Sequence, residues 1–111
     1  MFEDAIRKAL IKACSDRKTR FVPRGWPHRW YPREVIDPDT AEPFTEIAAW
    51  DFVVSRLEQD FPLKVLAMEK PAGSWAGVML VPGEGKRRIY IKVQVFKGAA
   101  MGRSFHYSDF E

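Results

Sequence analysis
Two stretches near the end of the 111-residue chain hold side chains that could move protons and stabilise negative charge. In Arg88-Ile89-Tyr90-Ile91-Lys92-Val93-Gln94-Val95 the alternation is strict. A strand there presents Ile89, Ile91, Val93 and Val95 on one face and Arg88, Tyr90, Lys92 and Gln94 on the other. A few residues on, Arg103-Ser104-Phe105-His106-Tyr107 adds a guanidinium, an imidazole and a phenol in a second strand of a hairpin. Alternation puts Ser104, His106 and Ser108 on one face of it and Arg103, Phe105 and Tyr107 on the other. Which set joins Arg88 and Lys92 depends on register, because a slip of one residue exchanges the faces. Phe105 has the character of a core residue, which favours Ser104 and His106 on the side of Arg88, Tyr90 and Lys92. Imidazole changes charge between about pH 5 and 8 and suits acid or base work, while Arg and Lys suit an anion.

Other chemistries lack their residues. Zinc needs three or four ligands, and His28, His106, Cys14 and the carboxylates show no ligand spacing. Asp37-Pro38-Asp39 with Glu42 lacks the length and glycine of a calcium loop and reads as a turn. A Gly-rich phosphate loop and a Gly-x-Ser-x-Gly elbow are both missing, which argues against dinucleotide, ATP and serine-hydrolase chemistry. Neither a metal nor a cofactor is expected. Cleavage of RNA needs neither, because the substrate supplies its own nucleophile in the 2′-hydroxyl. The protein has only to remove one proton, donate another and stabilise the pentacovalent phosphate. On that reading His106 is the acid or base and Arg88, Lys92 and Arg103 stabilise the phosphate. Tyr90 or Tyr107 hydrogen-bonds the phosphate or stacks on a base, and Arg29 and Trp30 are expected to join them in binding the substrate.

The succession Ile89-Tyr90-Ile91-Lys92-Val93 and then Arg103-Ser104-Phe105-His106 resembles the closing hairpin of small bacterial ribonuclease toxins of the RelE and MqsR type. The coarse order of helices followed by an antiparallel sheet is similar to theirs as well. The resemblance covers the C-terminal half. It implies a curved sheet whose basic, His and Tyr side chains cut mRNA, and an antitoxin protein that blocks the site. A long Pro- and Trp-rich segment departs from that pattern.

The hairpin needs other elements to hold it. Residues 1–18 contain an N-terminal helix, with Phe2, Ile6, Ala9, Leu10 and Ala13 at helical spacing, Glu3 and Asp4 in the first turn and Lys12 near the end. Residues 19–44 change character, with prolines at 23, 27, 32, 38 and 43 and the cluster Arg24, Trp26, His28, Arg29, Trp30, Tyr31 and Arg33. Such proline density rules out a long helix and an interior strand, so this segment is extended. From Thr45, read as an N-cap, a second helix runs to Gln59 and packs through Ile47, Trp50, Val54 and Leu57. Strand chemistry follows in Leu63 to Glu69, Ser74 to Val81, Arg88 to Phe96 and Met101 to Ser108, with turns at Pro71 to Gly73, Pro82 to Lys86 and Lys97 to Gly102. The intervals are too short for helical crossovers. The expected fold is α+β, two helices packed on a curved four-stranded antiparallel sheet, in a single domain over residues 1–111.

Charge is unevenly spread. Residues 1–33 hold nine Lys or Arg against three acids, residues 34–60 one against eight, and residues 61–111 eight against four. An acidic band thus lies between two basic ends, which suits a polyanion partner and equally suits internal neutralisation. An alternative function follows from the aromatic and basic segment 20–33, in which Arg29 and Trp30 would grip a protein or nucleic acid without catalysis. Cys14 is the single cysteine, so no internal disulfide forms, and its place in an amphipathic stretch marks a small buried residue. A hydrophobic share of 46% with 30% charged residues excludes a disordered chain. No apolar run approaches the roughly 18 residues of a membrane span, and the start MFEDAIRKAL is unlike a signal peptide. The expectation is a cytoplasmic protein with RNA, not a membrane, as its partner.

Overall fold
The amphipathic run at the N-terminus forms α1 (Phe2–Ser15), which buries Ile6, Leu10, Ala13 and Cys14. The computed structural model describes residues 2–23, 25 and 27–108. Thr45 caps α2 (Glu46–Glu58) as expected, its hydroxyl accepting from the Ala48 N–H at 3.1 Å. The inward stripe of α2 is Ala49, Trp50, Phe52, Val53 and Leu57. Ile47, expected in the core, is 52% exposed. It lies roughly a quarter of a revolution from the Val53 and Leu57 stripe, and that stripe is aimed at α1 and an aromatic layer.

The aromatic layer joins α2 to the sheet. Trp50 meets Trp30 at 4.7 Å between ring centroids, and Phe44 meets Phe52 at 5.0 Å and Phe105 at 4.9 Å, edge to face. α1 lies against the sheet itself. Its approach depends on Gly77, where a Cβ would stand 2.5 Å from a methyl of Leu10.

The switch to two-residue periodicity produces β2 (Lys64–Met68), β3 (Ser74–Pro82), β4 (Arg88–Phe96) and β5 (Ala99–Tyr107), an antiparallel meander. The sheet has a fifth member that the sequence reading missed. β1 (Arg29–Trp30) pairs in parallel with β5, and the order is β1-β5-β4-β3-β2, so the sheet is mixed. Proline density excludes an interior strand but not an edge, and here the segment lies along β5 in pieces. Phe21 N–H donates to Ala100 O, Gly102 N–H to Phe21 O, and Tyr31 N–H to Phe105 O, each at 2.9 Å.

β5 also starts earlier than expected, because Lys97 (φ 51°) and Gly98 (φ 78°) alone close the hairpin. Positive φ at both positions is the two-residue turn whose twist suits a hairpin. Further along, Lys92 pairs with Ser104 while Val93 pairs with Gly102, so Arg103 is an extra residue, a β-bulge. Among the described residues no helix is long and apolar enough to cross a membrane.

Candidate functional site
The helices cover one face of the sheet and leave the other open. Register places Tyr90 opposite His106 and Lys92 opposite Ser104, with Arg29 beside Ser104 on the far side of β5. These partners share a face, the one away from the buried Ile89, Ile91, Val93 and Phe105. Simple alternation would turn Arg103 inward with Phe105. The bulge instead lets it turn outward, where its guanidinium donates to Gln94 Oε1 at 3.0 Å and to Pro27 O at 3.1 Å. Arg29, Lys92, Arg103 and Ser104, together with Pro27 and His28, line a cavity of about 270 Å³.

Lys92 forms no salt bridge among the described residues. Burial first, and the Arg103 cation second, lower its pKa from the ordinary lysine value. An anion bound here would relieve both effects.

Both histidines are held through Nδ1, with opposite consequences. His106 Nδ1 lies 2.8 Å from the Tyr107 carbonyl, which can only accept, so Nδ1 carries the hydrogen. In the neutral ring Nε2 is then a proton acceptor. His28 Nδ1 accepts from the Trp30 N–H at 3.1 Å, so its neutral ring carries the hydrogen on Nε2. His106 also stacks on Tyr90, with centroids 5.4 Å apart and planes 21° from parallel. His106 stands two residues from Ser104 along β5, about 7 Å at the rise of a strand.

The remaining expected residues do not join this group. Arg88 shares the face but sits at the far end of β4, four residues and about 14 Å from Lys92. Tyr107, expected to touch substrate, lies on the helix face, where its hydroxyl accepts from Ile36 N–H at 3.0 Å and Arg87 lies 3.4 Å above its ring. Trp30, also expected at the substrate, is buried. Its indole packs on Trp50 and Phe105 and donates to the Glu46 carboxylate at 2.8 Å, and Gly102 is what admits it, since a Cβ there would stand 2.7 Å from the ring. Of the aromatic segment, Arg24 and Trp26 lie outside the described residues. The sequence reading weighed His28 as a metal ligand and as a member of the aromatic and basic cluster, not as a partner of Lys92 and Arg103. Its place beside the cations depends on β1 pairing with β5, which nothing in the local residue pattern announces.

Cys14 is fully buried, and burial pushes its thiol up to about 12 against a partial opposing pull from Arg20, so it offers no thiolate at neutral pH. Among the described residues no group of three or more His, Cys, Asp or Glu could hold a metal ion. No family model matches the chain, and no curated protein or solved structure matches it either.

Proposed function
We propose that this protein is an endoribonuclease of the cytoplasm that binds RNA on the open sheet face and cleaves it by attack of the 2′-hydroxyl on the adjacent phosphate. Support for the reading rests on one observation, the bulge at Arg103. It brings Arg103 onto the face that Ser104 shares with Lys92, Tyr90 and His106, beside Arg29 and His28. Lys92 and Arg103 neutralise the pentacovalent phosphate. His106 Nε2 takes the proton from the 2′-hydroxyl, and the Lys92 ammonium, made more acidic by burial and by Arg103, supplies one to the departing 5′-oxygen, while the neutral His28 Nε2–H donates a hydrogen bond to a phosphate oxygen. The products are a 2′,3′-cyclic phosphate and a 5′-hydroxyl, and no metal enters the scheme. An inhibitory protein of the kind the toxin resemblance implies would act by covering this face. A grip by segment 20–33 alone has less to recommend it, since Trp30 is committed to the core.

The test is cleavage of a short RNA by purified wild type and by His106→Ala, with circular dichroism to confirm folding. His106→Ala is expected to lose a factor of about 10² to 10⁴ in rate, and a 2′-deoxy residue at the scissile position should stop cleavage. Intact RNA after incubation with wild type, or equal cutting by the variant, would overturn the assignment.

A further inference from the structure
Beside the cationic cavity lies a second one of about 690 Å³, lined by Pro27, Ala67, Met68, Glu69, Lys70 and Arg103. Its size is that of a small-molecule site, which typically runs to about 300–1,000 Å³. Pro27 and Arg103 line both cavities, so a ligand anchored by its phosphate in the first can lay its next group into the second. The two walls are braced to each other. Gln94, wholly buried, accepts from Arg103 at 3.0 Å and donates through Nε2 to the Lys70 carbonyl at 2.9 Å and the Ser74 hydroxyl at 2.7 Å. One buried amide therefore fixes the turn after β2 relative to the guanidinium, which keeps the cavity's shape before any ligand arrives.

The lining is chemically divided. Pro27, Ala67 and Met68 are apolar, and a thioether is a favourable neighbour for an aromatic ring. Glu69 and Lys70 are exposed, adjacent, and of opposite charge. Resting on the ribonuclease reading above, we infer that this cavity is a guanine subsite. Guanine's Watson–Crick edge carries two neighbouring N–H donors, N1–H and N2–H, followed by the O6 acceptor. A carboxylate accepts two parallel donors, and an ammonium donates to the oxygen beside them. Glu69 takes the pair and Lys70 takes O6, while Met68 and Pro27 flank the ring. Adenine, cytosine and uracil each lack the adjacent pair of ring and exocyclic donors, so each leaves the carboxylate half-used.

The probes are the four nucleoside 3′-monophosphates, titrated into the full chain by calorimetry, together with cleavage of a mixed-sequence RNA. Wild type should bind guanosine 3′-monophosphate about tenfold or more tightly than the others, a difference of about 1.4 kcal/mol, and cleave next to guanosine. Glu69→Gln, an exposed substitution checked by a thermal melt, should abolish the preference. Cleavage with no base preference, or a guanosine preference that survives Glu69→Gln, overturns the subsite and leaves the ribonuclease reading standing. Guanosine-selective binding lost in Glu69→Gln, without any cleavage, upholds the subsite and overturns the ribonuclease reading. Neither binding nor cleavage overturns both.

Discussion
Lys92 is placed where a lysine is least comfortable unless an anion is present. Its pKa is lowered by burial and by Arg103, so the folded protein gives up that proton more readily than the unfolded chain does. Between the lowered value and the ordinary one, about 10.4, the unfolded state binds more protons, and stability rises with pH across that window. Below the window both states are protonated and the charged amine weighs against folding. Lys92→Met should therefore melt no lower than wild type at pH 7, and the difference between the two should shrink as pH climbs through the window. RNA affinity should fall in the same variant. Melts at neutral and alkaline pH beside a binding assay check this, and a Lys92→Met protein that melts well below wild type at pH 7 contradicts it. A lysine whose charge burial and Arg103 disfavour, and which lines a cavity with Arg29 and Arg103, is the pattern expected of a binding group rather than a structural one.

At the scale of elements, α2 is secured at both ends by side chains of unequal reach. Thr45 accepts one N–H at the exposed N-terminus, while the half-hidden end is closed by Arg7 of α1, which donates to Leu57 O at 2.8 Å and Phe61 O at 2.6 Å. Arg7 is buried, and its salt bridges to the exposed Glu3 and Asp60 are long, at 3.8 Å, so the carbonyl bonds are its main contribution. Arg7→Leu strands the Phe61 carbonyl and leaves Leu57 O only its backbone donors, at about 1–3 kcal/mol, and Thr45→Ala costs about 1 kcal/mol. Urea unfolding of both variants should show the larger loss for Arg7→Leu; the reverse order would mean that α1 does not hold the end of α2. The two helices and β3 and β4 were legible in sequence because each has one buried face, and burial imprints its period on residue type. β5 was legible only in part. Alternation placed Phe105 and Tyr107 inward and His106 outward correctly, but it put Arg103 on the wrong face. The bulge is a tertiary event: Gly102 makes room for the Trp30 ring, and that ring arrives on an edge strand held by backbone bonds that any residues could make. For the same reason Lys92 could be read as a site residue from its own strand, while His28, Pro27 and the turn at Glu69 could not.

Across the whole molecule, the modest net charge of +3 conceals a separation. Residues 34–60 hold eight acids against one Arg, and they include α2, which sits on the covered side of the sheet. Some of that charge is neutralised locally, with Asp39 facing Arg56 at 3.3 Å. Arg29, Lys92 and Arg103 stand on the other side, around one cavity. A single-stranded polyanion therefore meets the local cations rather than the average charge, because charges farther than about 8–10 Å are screened at physiological ionic strength. Each phosphate contact to a single strand contributes about −0.7 to the slope of log K against log salt, so three contacts give a slope of about −2. Lys92→Ala should make the slope shallower by about 0.7, whereas Asp51→Lys, on the outward side of α2, should leave it unchanged although it alters net charge by more. The measurement is binding of a fluorescent 2′-deoxy oligonucleotide, which cannot be cleaved through a 2′-hydroxyl, over a series of salt concentrations. If Asp51→Lys steepens the slope as much as Lys92→Ala flattens it, the polyanion is responding to the net charge of the molecule, and the open face has no special claim to it.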